Sequence, residues 1–385
     1  MWYLTDERKL VLDATKEFVR TEVAPQVAHI EKTSEFPMEL FKRAGELGLI
    51  GLTVPAEYNG TGIDQTSSGL VLEEIAKTMP VLTIAMGAHI LLAGGLIQML
   101  GTEEQKQKWL VPAATGEKIL ACASTEPVGG DNQAEFTTRA VRDADGWVIN
   151  GAKCLICNVG VADYYVVIAV TADKVDPVTK AGISCFVVPA DTPGLKVGEA
   201  EHKLGWRGSA TGSVYFDDVH VPAENLVGPE GGCLQAMFVS ASAEFLSCGP
   251  VSLGIAEGAY QMALDYSMTR IQQGHTMFDR FQVTRHKLAK MWGEIESLRA
   301  LVYSTYAQRD AGQLELAKCR LMKIKGAEVS EYVCREAIQL HGGVGTIVDT
   351  GVERYWRDAK VMAIGGASVE ALVDVVSGLI KAGRA

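Results

Sequence analysis

Hydrophobic positions along this chain change their period twice. Leu10, Val11, Ala14, Phe18, Val19 and Val23 fall on one face of a helix, with charged residues elsewhere. A second helix starts within residues 36–41 and stops at Gly45 and Gly48, where a turn-rich stretch at 54–62 breaks the period. Two apolar helices are predicted over about 65–78 and 81–100, and Thr102-Glu103-Glu104-Gln105 has the spacing of a capping box for another.

From about residue 119 to 229 the period becomes two and β-branched residues accumulate. Residues 164–170, 183–188 and 213–216 read as strands, with turns at 191–194 and 217–218, which predicts an antiparallel sheet or small barrel. The helical period returns at about 231 and lasts to the end, apart from a glycine-rich joint at Gly342 to Gly345. The expected fold class is α+β and multidomain. It comprises an N-terminal helical domain (1–120), a central antiparallel β-domain (121–230) and a C-terminal helical bundle (231–385).

Composition narrows the function. With 385 residues, 48% hydrophobic and 22% charged, the chain has material for two or three packed cores. A net charge of −11 argues against nucleic acid, since no basic surplus neutralises phosphates. The first residues lack the basic start and apolar run of a signal peptide. The apolar run at 237–256 is interrupted by Glu244, Pro250 and several serines and glycines, so no membrane span is expected. Eight cysteines without a disulfide-like spacing fit a reducing cytoplasm, the expected location.

Candidate chemistry concentrates in residues 121–158. Thr125-Glu126-Pro127-Val128-Gly129-Gly130 is a turn whose backbone N–H groups can face a ligand. Cys154 and Cys157 match Cys-x-x-Cys, but in a strand they point to opposite faces and no second pair accompanies them, so no metal site is expected. Neither a Gly-x-Gly-x-x-Gly after a strand nor a P-loop is present. Glu244 is the only acidic or basic residue between Glu230 and Glu257, and a lone carboxylate in so apolar a helix is costly unless it is paired or functional.

Several separated motifs resemble the acyl-CoA dehydrogenases. They are Gly48 to Tyr58, Thr125-Glu126-Pro127 with Gly130, Lys203-Leu204-Gly205-Trp206-Arg207-Gly208-Ser209, Val219 to Gly228, Gln339-Leu340-His341-Gly342-Gly343-Val344-Gly345, and Arg357-Asp358-Ala359-Lys360. The resemblance covers nearly the whole chain. It implies an enzyme holding FAD between the β-domain and the C-terminal helices, in a homotetramer that completes the site with a neighbouring subunit. Thr125, Gly130, Ile156, Cys157 and Asn158 would line the flavin, and Arg270, Gln339, Gly342 and Gly343 would meet its adenosine diphosphate end. The implied partners are an acyl-CoA substrate and electron-transferring flavoprotein or a similar acceptor. In the family reaction a carboxylate removes the proton next to the thioester carbonyl while the β-hydrogen leaves as hydride to flavin N5.

The family's usual base lies in Tyr-Glu-Gly-Thr, where this chain has Ile364-Gly365-Gly366-Ala367. Glu244 matches the alternative base of isovaleryl-CoA and long-chain members, with Glu370 and Asp131 as further candidate carboxylates. Gly365 and Gly366 are expected to remove side-chain volume beside the acyl group, and Phe245 stands where the family usually has arginine. Together these suggest a branched or alicyclic acyl-CoA, such as cyclohexanecarboxyl-CoA. Two other readings stay open, an enoyl-CoA reductase on the same scaffold and a divergent flavoprotein without dehydrogenase activity. Leu155-Ile156-Cys157-Asn158 replaces the family's Trp-Ile-Thr/Ser-Asn, which predicts a softer contact near flavin N5, because a thiol donates more weakly than a hydroxyl.

Overall fold

The computed structural model describes residues 2–130, 132–176, 181–313 and 316–383, with the side chains of Ala134, Gln235 and residues 238–241 left aside. Asp131 therefore lies outside the described residues. The chain runs as helices, then a sheet, then helices.

The first helical part holds α1 (Asp6–Phe18), α2 (Val27–Thr33), α3 (Met38–Glu46), α4 (Gln65–Ala76), α5 (Pro80–Met86), α6 (Gly94–Leu100), α7 (Glu103–Gln105) and α8 (Val111–Ala114). Local chemistry sets their starts. Thr5 Oγ1 accepts from Arg8 N at the head of α1, and Asp64 caps α4 through Ser67 N at 2.6 Å. The reciprocal capping box at Thr102 and Gln105 forms as its spacing predicts. Pro80 opens α5, and the chain stays helical to Leu100 through a wider turn at Gly87–Ala93. This run, unlike the interrupted one at 237–256, is long and apolar enough to cross a membrane, but 72% of its window is buried inside the protein. It is a core helix here.

The sheet consists of β1 (Leu120–Ala123), β2 (Arg139–Arg142), β3 (Gly146–Cys157), β4 (Tyr164–Val170), β5 (Ile183–Pro189), β6 (Leu195–Ala200), β7 (Thr211–Pro222) and β8 (Leu226–Val227). Its order is β6-β7-β3-β2-β4-β5-β8, with β1 joined to β4. Most pairs are antiparallel, as alternation predicts, but β1 and β2 both run parallel to β4. β4 and β5 are buried along almost their whole length, which explains their continuous apolar runs. A register shift between Lys153 and Ile156 marks a bulge in β3, with Leu155 at φ 55°.

His89 fastens the core helix to the sheet. Its Nδ1 accepts from Leu120 N at 2.9 Å, so the proton sits on Nε2, which donates to Ala113 O at 2.9 Å. Burial pushes its pKa down to about 4, so it stays neutral in this role.

The last part contains α9 (Leu234–Thr269), α10 (Met277–Arg280), α11 (Gln282–Asp310), α12 (Leu316–His341), α13 (Val352–Met362) and α14 (Val369–Lys381). Where an uninterrupted helical period was expected, β9 (Ile271–Gln272) and β10 (His275–Thr276) form a hairpin. Gln273 at φ 51° and Gly274 at φ 81° make its two-residue turn, a conformation that needs positive φ at both positions.

Candidate active site

A buried ion pair shapes the turn at Thr125 to Gly130. Glu126 accepts from Thr137 N at 2.6 Å, Thr137 Oγ1 at 2.8 Å, Thr138 N at 3.0 Å and Lys153 Nζ at 2.8 Å. Lys153 also donates to Ser124 O at 2.8 Å and lies 4.3 Å from the centre of the Phe136 ring. Both charged side chains have no exposure. Burial alone would push the Glu126 carboxyl up; the Lys153 charge and these hydrogen bonds hold it at about 2 instead. The pair thus ties the turn to β3, and sequence reading had given neither partner a role.

Around this turn the proposed flavin-lining residues divide. Thr125 and Gly130 are partly exposed neighbours, a Cβ on Gly130 falling 3.3 Å from Thr125 Oγ1. A Cβ on Gly129 would meet nothing within 4 Å, so a ligand has room to approach that backbone. Cys157 is partly exposed, with Thr211 Oγ1 4.0 Å from its sulfur. Ile156 and Asn158, in contrast, face inward. Ile156 belongs to the core, and the Asn158 amide donates to Ala85 O at 3.0 Å and Leu120 O at 3.2 Å. Their side chains therefore leave only backbone to meet a ligand at these two positions.

Arg270, Gln339, Gly342 and Gly343 are all exposed, at the adjacent ends of α9 and α12. The His341 ring stacks on Tyr266 at 4.5 Å and joins these two ends. A Cβ on Gly342 or Gly343 would meet nothing within 4 Å. The residues present fit a dinucleotide cofactor: a hydroxyl-bearing turn on the sheet, and separately an arginine, an amide and bare backbone on the helix ends.

Glu244 lies on α9 opposite the loop between α13 and α14. A Cβ on Gly366 would stand 2.7 Å from Glu244 Oε1 and 3.3 Å from Lys323 Nζ, and Gly366 has φ +83°. Lys323 Nζ donates to Gly365 O. Glu244 is only partly exposed, and burial pushes its carboxyl above the ordinary range while Lys323 pulls the other way. Its charge adds to the burial that raises the thiols of Cys122 on β1 and Cys157 on β3. Glu370 is exposed in the first turn of α14 and does not join this group.

Two substrate expectations change. Phe245 is buried, with Arg320 and Lys323 each 5.9 Å from its ring centre, so it packs the helical core and does not face an open slot. Nor is the space at Gly365 empty. A Cβ there would fall 2.6 Å from Trp206 Cη2 and 2.9 Å from Cζ3, because the indole occupies that volume.

The Trp206 position is fixed by α13. Asp358 Oδ1 accepts from Trp206 N at 2.6 Å, and a Cβ on Gly205 would fall 2.4 Å from Arg357 O. Arg357 donates to Leu204 O at 3.2 Å and pairs with Glu31 at 2.6 Å. Burial, with the Glu31 charge adding to it, pushes the Asp358 carboxyl up to about 7. Two motifs about 150 residues apart in sequence therefore work as one device.

Acyl-CoA dehydrogenase family models match the N-terminal domain over residues 5–117, the middle domain over 121–219 and the C-terminal domain over 240–377. The chain belongs to the acyl-CoA dehydrogenase family. It is 40% identical to the short-chain-specific acyl-CoA dehydrogenase of Clostridium acetobutylicum, over 98% of each chain. It is 31% identical to the caffeyl-CoA reductase-Etf complex subunit CarC of Acetobacterium woodii, over 98% of this chain and 99% of that one. The solved butyryl-CoA dehydrogenase of Megasphaera elsdenii superposes with a TM-score of 0.94 at 34% identity, covering 98% and 99% of the two chains.

Membership makes the protein an FAD-dependent oxidoreductase of the acyl-CoA dehydrogenase type. The Trp206 ring occupies the volume that a Gly365 side chain would take.

Proposed function

We propose that this acyl-CoA dehydrogenase oxidises a branched or alicyclic acyl-CoA, with Glu244 as its base. The observation that carries the reading is the Glu244 carboxyl set against Gly366, next to a glycine in the family's usual base position. FAD, when bound, supplies the hydride acceptor. Glu244 takes the α-proton, the C–H electron pair becomes the new α,β double bond, and the β-hydrogen leaves with its pair, giving an enoyl thioester and a protonated Glu244. Partial burial suits this role, because a desolvated carboxylate is a stronger base than one in water.

The substrate class follows from the base's new origin and from the wall beside it. A base on α9 approaches the α-carbon from a different element than one at residue 365 would, and the Trp206 indole offers a flat apolar face where a carboxylate would otherwise stand. A ring or a branch near the carbonyl fills such a site better than an unbranched chain. The test is kcat/KM for cyclohexanecarboxyl-CoA and isovaleryl-CoA against butyryl-CoA and octanoyl-CoA with a ferrocenium acceptor. Straight-chain thioesters turning over far faster than branched and cyclic ones would defeat the assignment.

Thr125, Gly130 and Cys157 contact the flavin in this reading, with Ile156 and Asn158 supporting them, and Arg270, Gln339, Gly342 and Gly343 meet the adenosine diphosphate of a cofactor shared with a second subunit. In this reading the enzyme is a cytoplasmic homotetramer that passes electrons to electron-transferring flavoprotein, with a second subunit meeting the exposed ends of α9 and α12. Similarity to the caffeyl-CoA reductase-Etf subunit favours one second reading, reduction of an enoyl-CoA by a low-potential donor. Turnover of the enoyl thioester with reduced viologen, exceeding ferrocenium-coupled oxidation, would select it.

A further inference from the structure

Lys323 is the feature of this site that the family reaction leaves unexplained. Its side chain is 1% exposed, and a buried ammonium is costly unless its protons and charge are met. One proton is met by the Gly365 carbonyl. The same Nζ lies 3.3 Å from the point where a Gly366 Cβ would stand, and Glu244 Oε1 lies 2.7 Å from that point on the same small glycine turn. This puts the charges inside the roughly 6 Å over which an opposite charge acts on a carboxyl. Phe245, next to Glu244, brings no charge of its own, and its ring rests between Arg320 and Lys323 of α12.

We propose that Lys323 is the positioning residue of the base, one ammonium that binds the loop carrying Gly365 and acts through its charge on the Glu244 carboxylate. This rests on Glu244 being the base. Two consequences follow from the geometry. Lys323 offsets the burial that favours a neutral Glu244. It also fixes the loop through the Gly365 carbonyl while its charge faces the carboxylate.

The other titratable groups facing Glu244 do not supply this charge. Cys122 on β1 is pushed up to about 12, chiefly by burial, Cys248 on α9 to about 11, and Cys157 on β3 is raised as well, so all three stay neutral thiols near pH 7. Arg320 reaches the group through the Phe245 ring.

The test uses the FAD-loaded enzyme with cyclohexanecarboxyl-CoA and butyryl-CoA as probes and ferrocenium as acceptor. In the pH profile of kcat/KM, the acidic limb of Lys323→Met is expected to move up by about 1–3 pH units, the size of a lost neighbouring charge. Lys323→Arg keeps the charge and leaves the limb near its wild-type position. An unmoved limb in a flavin-loaded Lys323→Met overturns the proposal. If Lys323→Met does not retain FAD, the Lys323→Met/Glu244→Gln double variant decides. Removing both buried charges restores flavin retention if they are paired, and a double variant that fails like the single one overturns the pairing. Glu244→Gln alone separates the two claims. Turnover that survives it defeats the base assignment, whereas a dead Glu244→Gln with an unmoved Lys323→Met limb defeats only the role of Lys323.

Discussion

Returning a glutamate to residue 365 tests how the site was rebuilt. Gly365 does not have the left-handed backbone of its neighbour Gly366, so the obstacle to a side chain is steric. A Cβ would lie 2.6 Å and 2.9 Å from two carbons of the Trp206 ring, where ordinary contact begins near 3.4 Å. The ring must retreat by about 1 Å, which its backbone hydrogen bond to Asp358 and the tight seat of Gly205 resist, so the overpacking cost is about 1–3 kcal/mol. In a Glu244→Gln background, Gly365→Glu is therefore expected to lower the temperature of flavin release and to leave the enzyme unable to bleach its flavin with substrate. Adding Trp206→Leu makes room for the glutamate and should recover part of both. Flavin fluorescence on heating and anaerobic stopped-flow bleaching read the two outcomes. The reasoning is refuted if Glu244→Gln/Gly365→Glu, with Trp206 intact, keeps the wild-type release temperature and bleaches at the wild-type rate.

Three further outcomes follow from the same contacts. Lys153→Met should destabilise the sheet domain by about 3–5 kcal/mol by stranding a buried carboxylate, and Glu126→Gln/Lys153→Met should recover part of that in urea unfolding; a double variant worse than the single would count against the pair. Because the Glu126 carboxyl is held at about 2, its contribution is present in full above its unfolded value near 4.3 and is lost as pH falls through about 2, so Glu126→Gln should flatten stability over that acid window alone. Cys157→Thr places a stronger donor at the flavin wall and should raise the flavin midpoint potential, read by anaerobic redox titration, and an unchanged midpoint would remove Cys157 from the flavin contact.

Much of the architecture could be read from periodicity, because elements with one buried face announce it. α1 shows the period of 3.6, and β4 and β5 show β-branched runs bounded by turns. What escaped were features with no periodic signal. The parallel pairing of β1 and β2 with β4 depends on how strands are ordered in space, and the 271–276 hairpin is two residues per strand around a polar turn. At the site, Glu244 stood out because it is charged inside an apolar helix. Lys323 did not, since Lys318, Arg320 and Lys325 surround it and the group reads as a solvated face. Only the packing of α12 shows that Arg320 and Lys323 are buried whereas Lys325 is exposed. Trp206 belongs to the Lys203–Ser209 motif, but its contact with Gly365 spans about 160 residues of sequence and leaves no local signal.

The most direct test of the account is a single anaerobic turnover with and without the proposed base. Flavin absorbance would be followed after mixing FAD-loaded wild type and Glu244→Gln with cyclohexanecarboxyl-CoA, isovaleryl-CoA and butyryl-CoA. A positioned general base is worth about 10²–10⁴ in rate, so the variant should bind FAD normally and bleach slower than wild type by at least that factor with every thioester the wild type accepts. Bleaching by Glu244→Gln within a few-fold of wild type would contradict the account and send the search for the base elsewhere.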